Sequence, residues 1–359
     1  MRLLQLIAHR SRRGALTARL GFALVAVCSL LVVVPAAVGG GGVIATIPVG
    51  HEPDGLAVNS LTDKTYVATR ADNAVTVIRG LTVVATVPVG TFDRQLAVNQ
   101  VTNKVYVSNF LSNDVSVIDG ATDQVVATVP VGTQPFGVGV NPVTNKIYVS
   151  NSRSNSVSVI DGASNRVIAK IPVRASSPYG IAVDAVRNKV YVANVGCCSN
   201  LGRTVSVIDG ATDTFVTAID LGHKSNPGSL AVNEVTGKVY VAQLCEVAKT
   251  SECFKKGDFG HTVSVIDGAT NTVIDHVSVG TLPIGPAVDS ERNTVYVANL
   301  LSNTVSVIDG ATDSVVDTEP VGACPVGAFG PAGAGVNTAT NRVYVSNFCD
   351  NTVSVLARE

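Results

Sequence analysis

Asp54, Arg94, Phe136, Tyr179 and Ile284 stand at equivalent places in successive copies of a repeated unit, mostly in Pro-x-Gly contexts. A carboxylate, a guanidinium and aromatic rings gathered around one opening could hold a ligand, and an acid beside an arginine could start acid–base chemistry. Asp54 and Arg94 nevertheless belong to no recognisable catalytic set. The chain has no Cys-x-x-Cys-His for covalent haem, no Gly-x-Ser-x-Gly elbow and no phosphate-binding glycine loop. His51 and His223 fall in loops of different repeats and read as unrelated surface residues rather than paired ligands. No cofactor and no metal are expected. Asp119 to Asp123 could pass for a calcium loop, but its recurrence at the same strand junction in unit after unit makes it a turn.

The elements that must position these residues are written in the repeat. The tetrad Tyr-Val-x-Asn or a close variant begins at Tyr66, Tyr106, Tyr148, Tyr191, Tyr240, Tyr296 and Tyr344. Each copy is preceded by a short strand ending in Asn or Asp and followed by Val-Ser-Val-Ile-Asp-Gly or a close variant, then, in all but the last, by a run such as Val-Val-Ala-Thr-Val-Pro-Val-Gly. Four short strands bounded by turn residues make a small antiparallel sheet, named A to D in chain order. The Asp-Gly pair between C and D predicts a tight hairpin with positive φ. Pro48, Pro88, Pro130, Pro172 and Pro320 put D on the outer edge, since proline has no N–H to donate. Small apolar strand A suits a crowded inner position, so the fold predicted is an all-β, seven-bladed β-propeller of four-stranded antiparallel blades. The last unit stops at Thr-Val-Ser-Val-Leu-Ala-Arg-Glu without a D strand, while Val43 to Gly50 supplies one ahead of the first A strand. The N-terminal strand should therefore complete the last blade and close the ring.

Over residues 43–356 these units resemble the YVTN-type (YncE-like) β-propeller repeat family of bacterial and archaeal surface and periplasmic proteins. That resemblance implies the propeller fold and an exported location, and says little about chemistry.

Loop lengths single out one side. The long segments, residues 195–203, 244–261 and 323–333, are B–C or D–A loops, which share a face of a propeller. Phe92, Phe110, Phe136, Phe254, Phe259, Phe329, Phe348 and Tyr179 map there too, either as packing for the blade tops or as a binding surface. Phe136, Tyr179, Phe254, Lys255 and Phe259 are the expected leading contacts, with Asp54 and Arg94 at the tunnel mouth. The loops of the opposite face look constrained by turn geometry alone.

Cys197, Cys198, Cys245, Cys253, Cys324 and Cys349 also map to the loop-rich face, and their spacing does not suit zinc. Disulfides are expected: Cys324 with Cys349, and Cys245 with Cys253 leaving a vicinal Cys197–Cys198 bond, or cross-blade pairing among those four.

Residues 1–38 read as a signal peptide, with five arginines, no acid and the apolar run Leu20 to Val38. An uncleaved anchor is the alternative, and Ser11 to Leu16 faintly resembles a twin-arginine signal. Residues 39–42 form a glycine linker, and 43–359 the propeller. Without the leader the chain carries 21 basic against 27 acidic residues, a net charge of −6, which gives no footprint for nucleic acid and leaves membrane contact to an uncleaved N-terminal segment. The expectation is a monomeric, exported (periplasmic, extracellular or surface-associated) binding module for an unknown protein, glycan or small molecule, without catalysis. The alternatives are a lactonase-like hydrolase or lyase, or an accessory subunit of a redox enzyme.

Overall fold

The structure, a computed structural model, describes residues 42–196, 203–222, 225–245, 257–325 and 328–358. The leader, Cys197, Cys198, Cys253, Phe254, Lys255 and His223 lie outside the described residues.

Seven separate four-stranded sheets follow one another, each antiparallel in the order A-B-C-D. Blade one runs Pro53–Asn59, Lys64–Thr69, Ala74–Arg79 and Thr82–Pro88. In blade seven, Pro331–Asn337, Arg342–Asn347 and Thr352–Ala357 are completed by Val43–Pro48, with Thr46 opposite Ser354 and Pro48 opposite Thr352. Closure by the N-terminal strand is therefore observed. Strand A lies inside and the proline-bearing strand D forms the outer edge, as the missing N–H requires.

Alternating valines and isoleucines of strands B and C pack between neighbouring blades. Val115, Val117, Val129, Val138, Ile147, Val149 and Ile160 form one such cluster around Tyr106. Each fully buried aliphatic of this kind contributes about 1.5–3 kcal/mol.

The C–D turn differs from the expected hairpin. Strand C of blade two ends at Asp119 and strand D begins at Gln124, so the loop has four residues and the left-handed residue is Asp123, at φ 55°. The Asp119 side chain accepts from Ala121 N at 2.8 Å. Gly120 itself donates to Asn103 O at 2.8 Å, so its smallness answers a close approach rather than a positive φ. Blade one alone among the described C–D links has the two-residue turn, with Gly80 at φ 58°.

The tetrad is a structural device. Its Asn joins the end of strand B to the inward serine of strand C, as in Asn109 to Ser116 at 2.9 Å and Asn347 to Ser354 at 2.8 Å. The Tyr, with the Lys two residues before it, reaches the C–D turn of the next blade. Lys146 Nζ donates to Gly210 O at 3.0 Å and meets Asp213 at 2.8 Å, while Tyr148 OH bonds Asp213 at 3.1 Å. Lys64, Lys104, Lys189 and Lys238 make the same reach to Gly120, Gly162, Gly268 and Gly310. Blade seven has no C–D turn, because both ends of the ring's chain lie there. Correspondingly Thr294 replaces Lys in blade six, and the fully buried Arg358 pairs with the buried Asp289 across the same seam.

Candidate functional site

The first inward residues of the seven A strands form a ring of Asp54, Arg94, Phe136, Tyr179, Gly228, Ile284 and Ala332. The backbones there are so close that a Cβ on Gly55 would sit 2.7 Å from Arg94 O, and one on Gly180 would sit 2.6 Å from Gly228 O. Glycine at these places lets the strands converge and leaves the preceding side chain to shape the mouth. Just before strand A, Glu52, Phe92, Gln134, Ser177 and Leu282 adopt left-handed φ near 50–60°. The turns at Glu52, Phe92 and Gln134 are held by their N–H groups on Asn351, Asn73 and Asn113 of the preceding blade. This bend carries Glu52 and Leu282 into the mouth.

Blades one and two supply an ionic cluster. Arg70, from the short 3-10 turn Arg70–Asp72 in a B–C loop, donates from Nη2 and Nε to Glu52 Oε2 at 2.7 and 3.0 Å, and its Nη1 lies 4.0 Å from Asp54 Oδ2. Arg94 donates from Nη1 to Asp54 Oδ2 at 3.1 Å, while its Nε has no hydrogen-bond partner. Aromatic rings cover the guanidinium faces. Arg70 lies 4.8 Å from the centre of the Phe92 ring and 4.6 Å from that of Phe348. Arg94 lies 4.7, 5.5 and 5.4 Å from Phe92, Phe110 and Phe136. Phe136 continues the stack onto Tyr179, with ring centres 3.4 Å apart and planes at 22°. Such contacts hold cations in place where water is thin.

Burial raises the pKa of Asp54, and Arg94 and Arg70 pull it back. Asp93 occupies the place that proline holds at the start of the neighbouring A strands, and neither carboxylate oxygen has a hydrogen-bond partner. Burial, with Asp54 nearby, pushes its pKa up to about 7, although its own backbone N–H and Arg70 act the other way.

Across the axis the wall is apolar. A cavity of about 540 Å³ is bounded by Glu52, Asp54, Arg70 and Arg94 on one side and by Leu244, Leu282, Ile284 and Leu300 on the other. Tyr179, Phe329, Ala332 and Phe348 complete it. Phe329 meets Phe348 edge to face at 6.3 Å and 79°. The disulfide Cys324–Cys349 ties the two loops that carry these rings, and Cys349 N donates to Phe329 O at 3.1 Å. This pairing is the one expected. Cys245 is disulfide-bonded as well, and both Cys253 and the cross-blade alternatives Cys197 and Cys198 lie outside the described residues.

The structure thus brings together Asp54, Arg94 and Tyr179 at the mouth. Phe136 is buried beneath, lining a narrower space of about 100 Å³ along the axis. Phe259 bridges to Cys245 and packs on the cluster of Val195, Leu244 and Leu282, so it supports the aliphatic wall from behind. His51 is exposed and bonds Asp72 at 2.8 Å. Ile284, also expected at the mouth, lines the opposite wall, whereas sequence reasoning missed Arg70, Glu52 and the leucines Leu244, Leu282 and Leu300. The signal for Arg70 was blade one's departure from the tetrad, Tyr-Val-Ala-Thr-Arg where most copies read Asn followed by an apolar or small residue. Among the described residues no helix is long and apolar enough to cross a membrane.

No protein-family model and no curated protein matches this chain. Among solved structures it is similar to a chain of Kuenenia stuttgartiensis hydrazine synthase, with a TM-score of 0.73 and 20% identity over 85% of this chain and 95% of that one. A likeness at that identity shows the fold alone.

Proposed function

We propose that this chain is an exported, non-catalytic β-propeller of the YVTN-repeat type that binds a ligand or partner in the bowl on its B–C and D–A face. The observation that carries this reading is the bowl itself, an opening of about 540 Å³ where residues differing from blade to blade converge on one ionic wall and one aliphatic wall. Concave, mostly apolar spaces with a few fixed polar groups are the usual form of ligand sites. The disulfide of blade seven supports an oxidising, exported setting.

A hydrolase or lyase would need an acid or base able to touch substrate. Asp93 has a suitable pKa of about 7, but it is fully buried. Asp54 and Glu52 each hold an arginine. The mouth acts as a receptor rather than as a catalytic acid–base site.

Native mass spectrometry of the protein from the exported fraction tests this. Wild type should carry a bound mass that mild denaturation releases. Leu282→Asp should lose it and Val143→Asp, on the opposite face, should keep it. Loss with Val143→Asp and retention with Leu282→Asp would move the site to the other face.

A further inference from the structure

We infer that the bowl takes a carboxylate carried on an aliphatic chain, the carboxylate on Arg94 and Arg70 and the chain along Leu244, Leu282, Ile284 and Leu300. This rests on the reading of the bowl as the binding site, and it follows from what that site has left to offer.

Both guanidinium faces in the cluster are already covered by phenylalanine rings, so an incoming group meets their edges. Those edges present N–H donors. Arg70 spends Nε and Nη2 on Glu52, but its Nη1 lies 4.0 Å from Asp54, beyond hydrogen-bond distance. Arg94 spends Nη1 on Asp54 and holds a buried Nε without a partner, a donor left unsatisfied until an acceptor settles beside it. Two arginines with unspent, fixed donors on either side of one carboxylate suit a planar two-oxygen acceptor better than a cation, which would find the aromatic faces taken.

The cluster can also accommodate the added negative charge. Asp54 lies in the field of Arg94, Arg70 and Glu52, and Asp93 in that of Asp54, Arg70 and Asp72. Both buried acids hold a proton more tightly than an exposed one, so they can take one up as an anion arrives. The second half of the ligand is set by the opposite wall, which is branched-aliphatic and offers an alkyl group burial worth about 25 cal/mol per Å². A head group alone would leave that wall empty. An aliphatic carboxylate can come as a free fatty acid or as a peptide C-terminus ending in Leu, Ile or Val.

Calorimetric titration of protein purified from the exported fraction, freed of any bound mass by mild denaturation and refolding and checked empty by native mass spectrometry, decides it. Octanoate should bind at least about tenfold more tightly than octanol or octylammonium, which is about 1.4 kcal/mol. Arg94→Gln should remove that preference, and Arg94→Lys, which keeps the charge without the fork, should remove most of it. Should Arg94→Gln fold poorly because Asp54 loses its partner, the Asp54→Asn/Arg94→Gln pair serves instead. Binding should tighten from about pH 8 to about pH 6, with proton uptake, and Asp93→Asn should flatten that dependence. A short peptide ending in Leu with a free carboxylate, compared with its amide, separates the two sources. Preference for the free acid over octanoate assigns the peptide end, and the reverse assigns the fatty acid. Equal binding of octanoate, octanol and octylammonium, abolished by Leu282→Asp, would overturn the carboxylate while leaving the bowl as the site. Absence of binding by octanoate and the free-acid peptide at millimolar concentration would overturn it too, whatever mass the native protein carries.

Discussion

On the A–B and C–D side of the ring, five consecutive blades grip the next one with the same lysine on the same turn carbonyl. Around the mouth, by contrast, the ring position reads Asp, Arg, Phe, Tyr, Gly, Ile and Ala. The comparison separates two demands. Blades must fit one another, which selects the same side chains repeatedly, whereas a site on the symmetry axis must be asymmetric to tell one end of a ligand from the other. The regular face is not inert, since it carries the inter-blade bonds that its turns had seemed not to need. Asn59 to Asn103 at 2.8 Å, Asn99 to Asn145 at 2.9 Å and Asn337 to Asp63 at 2.8 Å belong to the same set.

The sharpest way to break the comparison is to damage the regular side where it is irregular, at its seam. Deleting Val43 to Val49 removes strand D of blade seven, and the product should melt far below wild type and aggregate through the bare edge of strand C. An unchanged melting temperature would mean the ring does not close this way.

Next comes the mouth. Asp93 titrates at about 7 in the fold against its ordinary 3.8. An acid with a raised pKa costs nothing below about pH 4, costs more as the pH climbs toward about 7, and stays costly above it. Asp93→Asn should therefore flatten the decline in stability between about pH 4 and 7, worth up to about 4 kcal/mol at about pH 8. Parallel urea titrations of the two proteins at both pH extremes check this, and identical slopes would refute it.

A slightly smaller effect, a loss of about 3 kcal/mol, is expected for Arg358→Ala, because the buried Asp289 would lose its close, buried cation and keep only the half-exposed Arg292 at 3.7 Å. A neutral result by thermal denaturation would show that Arg292 and the backbone N–H groups of Glu291 and Arg292 satisfy Asp289 by themselves. The smallest effect belongs to Val143→Asp. Val143 is 79% exposed, as its equivalents Leu61, Val101, Val186 and Val235 also largely are, and stability should stay within about 0.5 kcal/mol.

The blade was legible because its grammar is local. Prolines on strand D, a seven-fold tetrad and a missing last strand matched by Val43 to Gly50 leave little choice of architecture. The tetrad's purpose was not legible, since Lys146 and Tyr148 meet residues more than sixty positions away, and a reading of turns explains Asp213 without them. The mouth divides in the same manner. Asp54, Arg94 and Tyr179 share a place in the repeat and could be found by alignment of the chain with itself. Arg70, Glu52 and Leu300 come from loops outside that place, and the ring's curvature is what brings them in.

The pairing of Val43–Pro48 with Thr352–Leu356 sets an order of events in time. The first strand of the ring to be synthesised has its partner in the last strand of the ring, so it waits until everything between has been made. Meanwhile blades one and six each keep a flank uncovered, and no shorter product can settle into a finished ring. The closing contact is among the most distant in sequence that the fold makes, and contacts of that kind slow folding more than they weaken the folded state. The propeller matures as one unit, late, and its bowl becomes a complete receptor when the two ends of the ring meet.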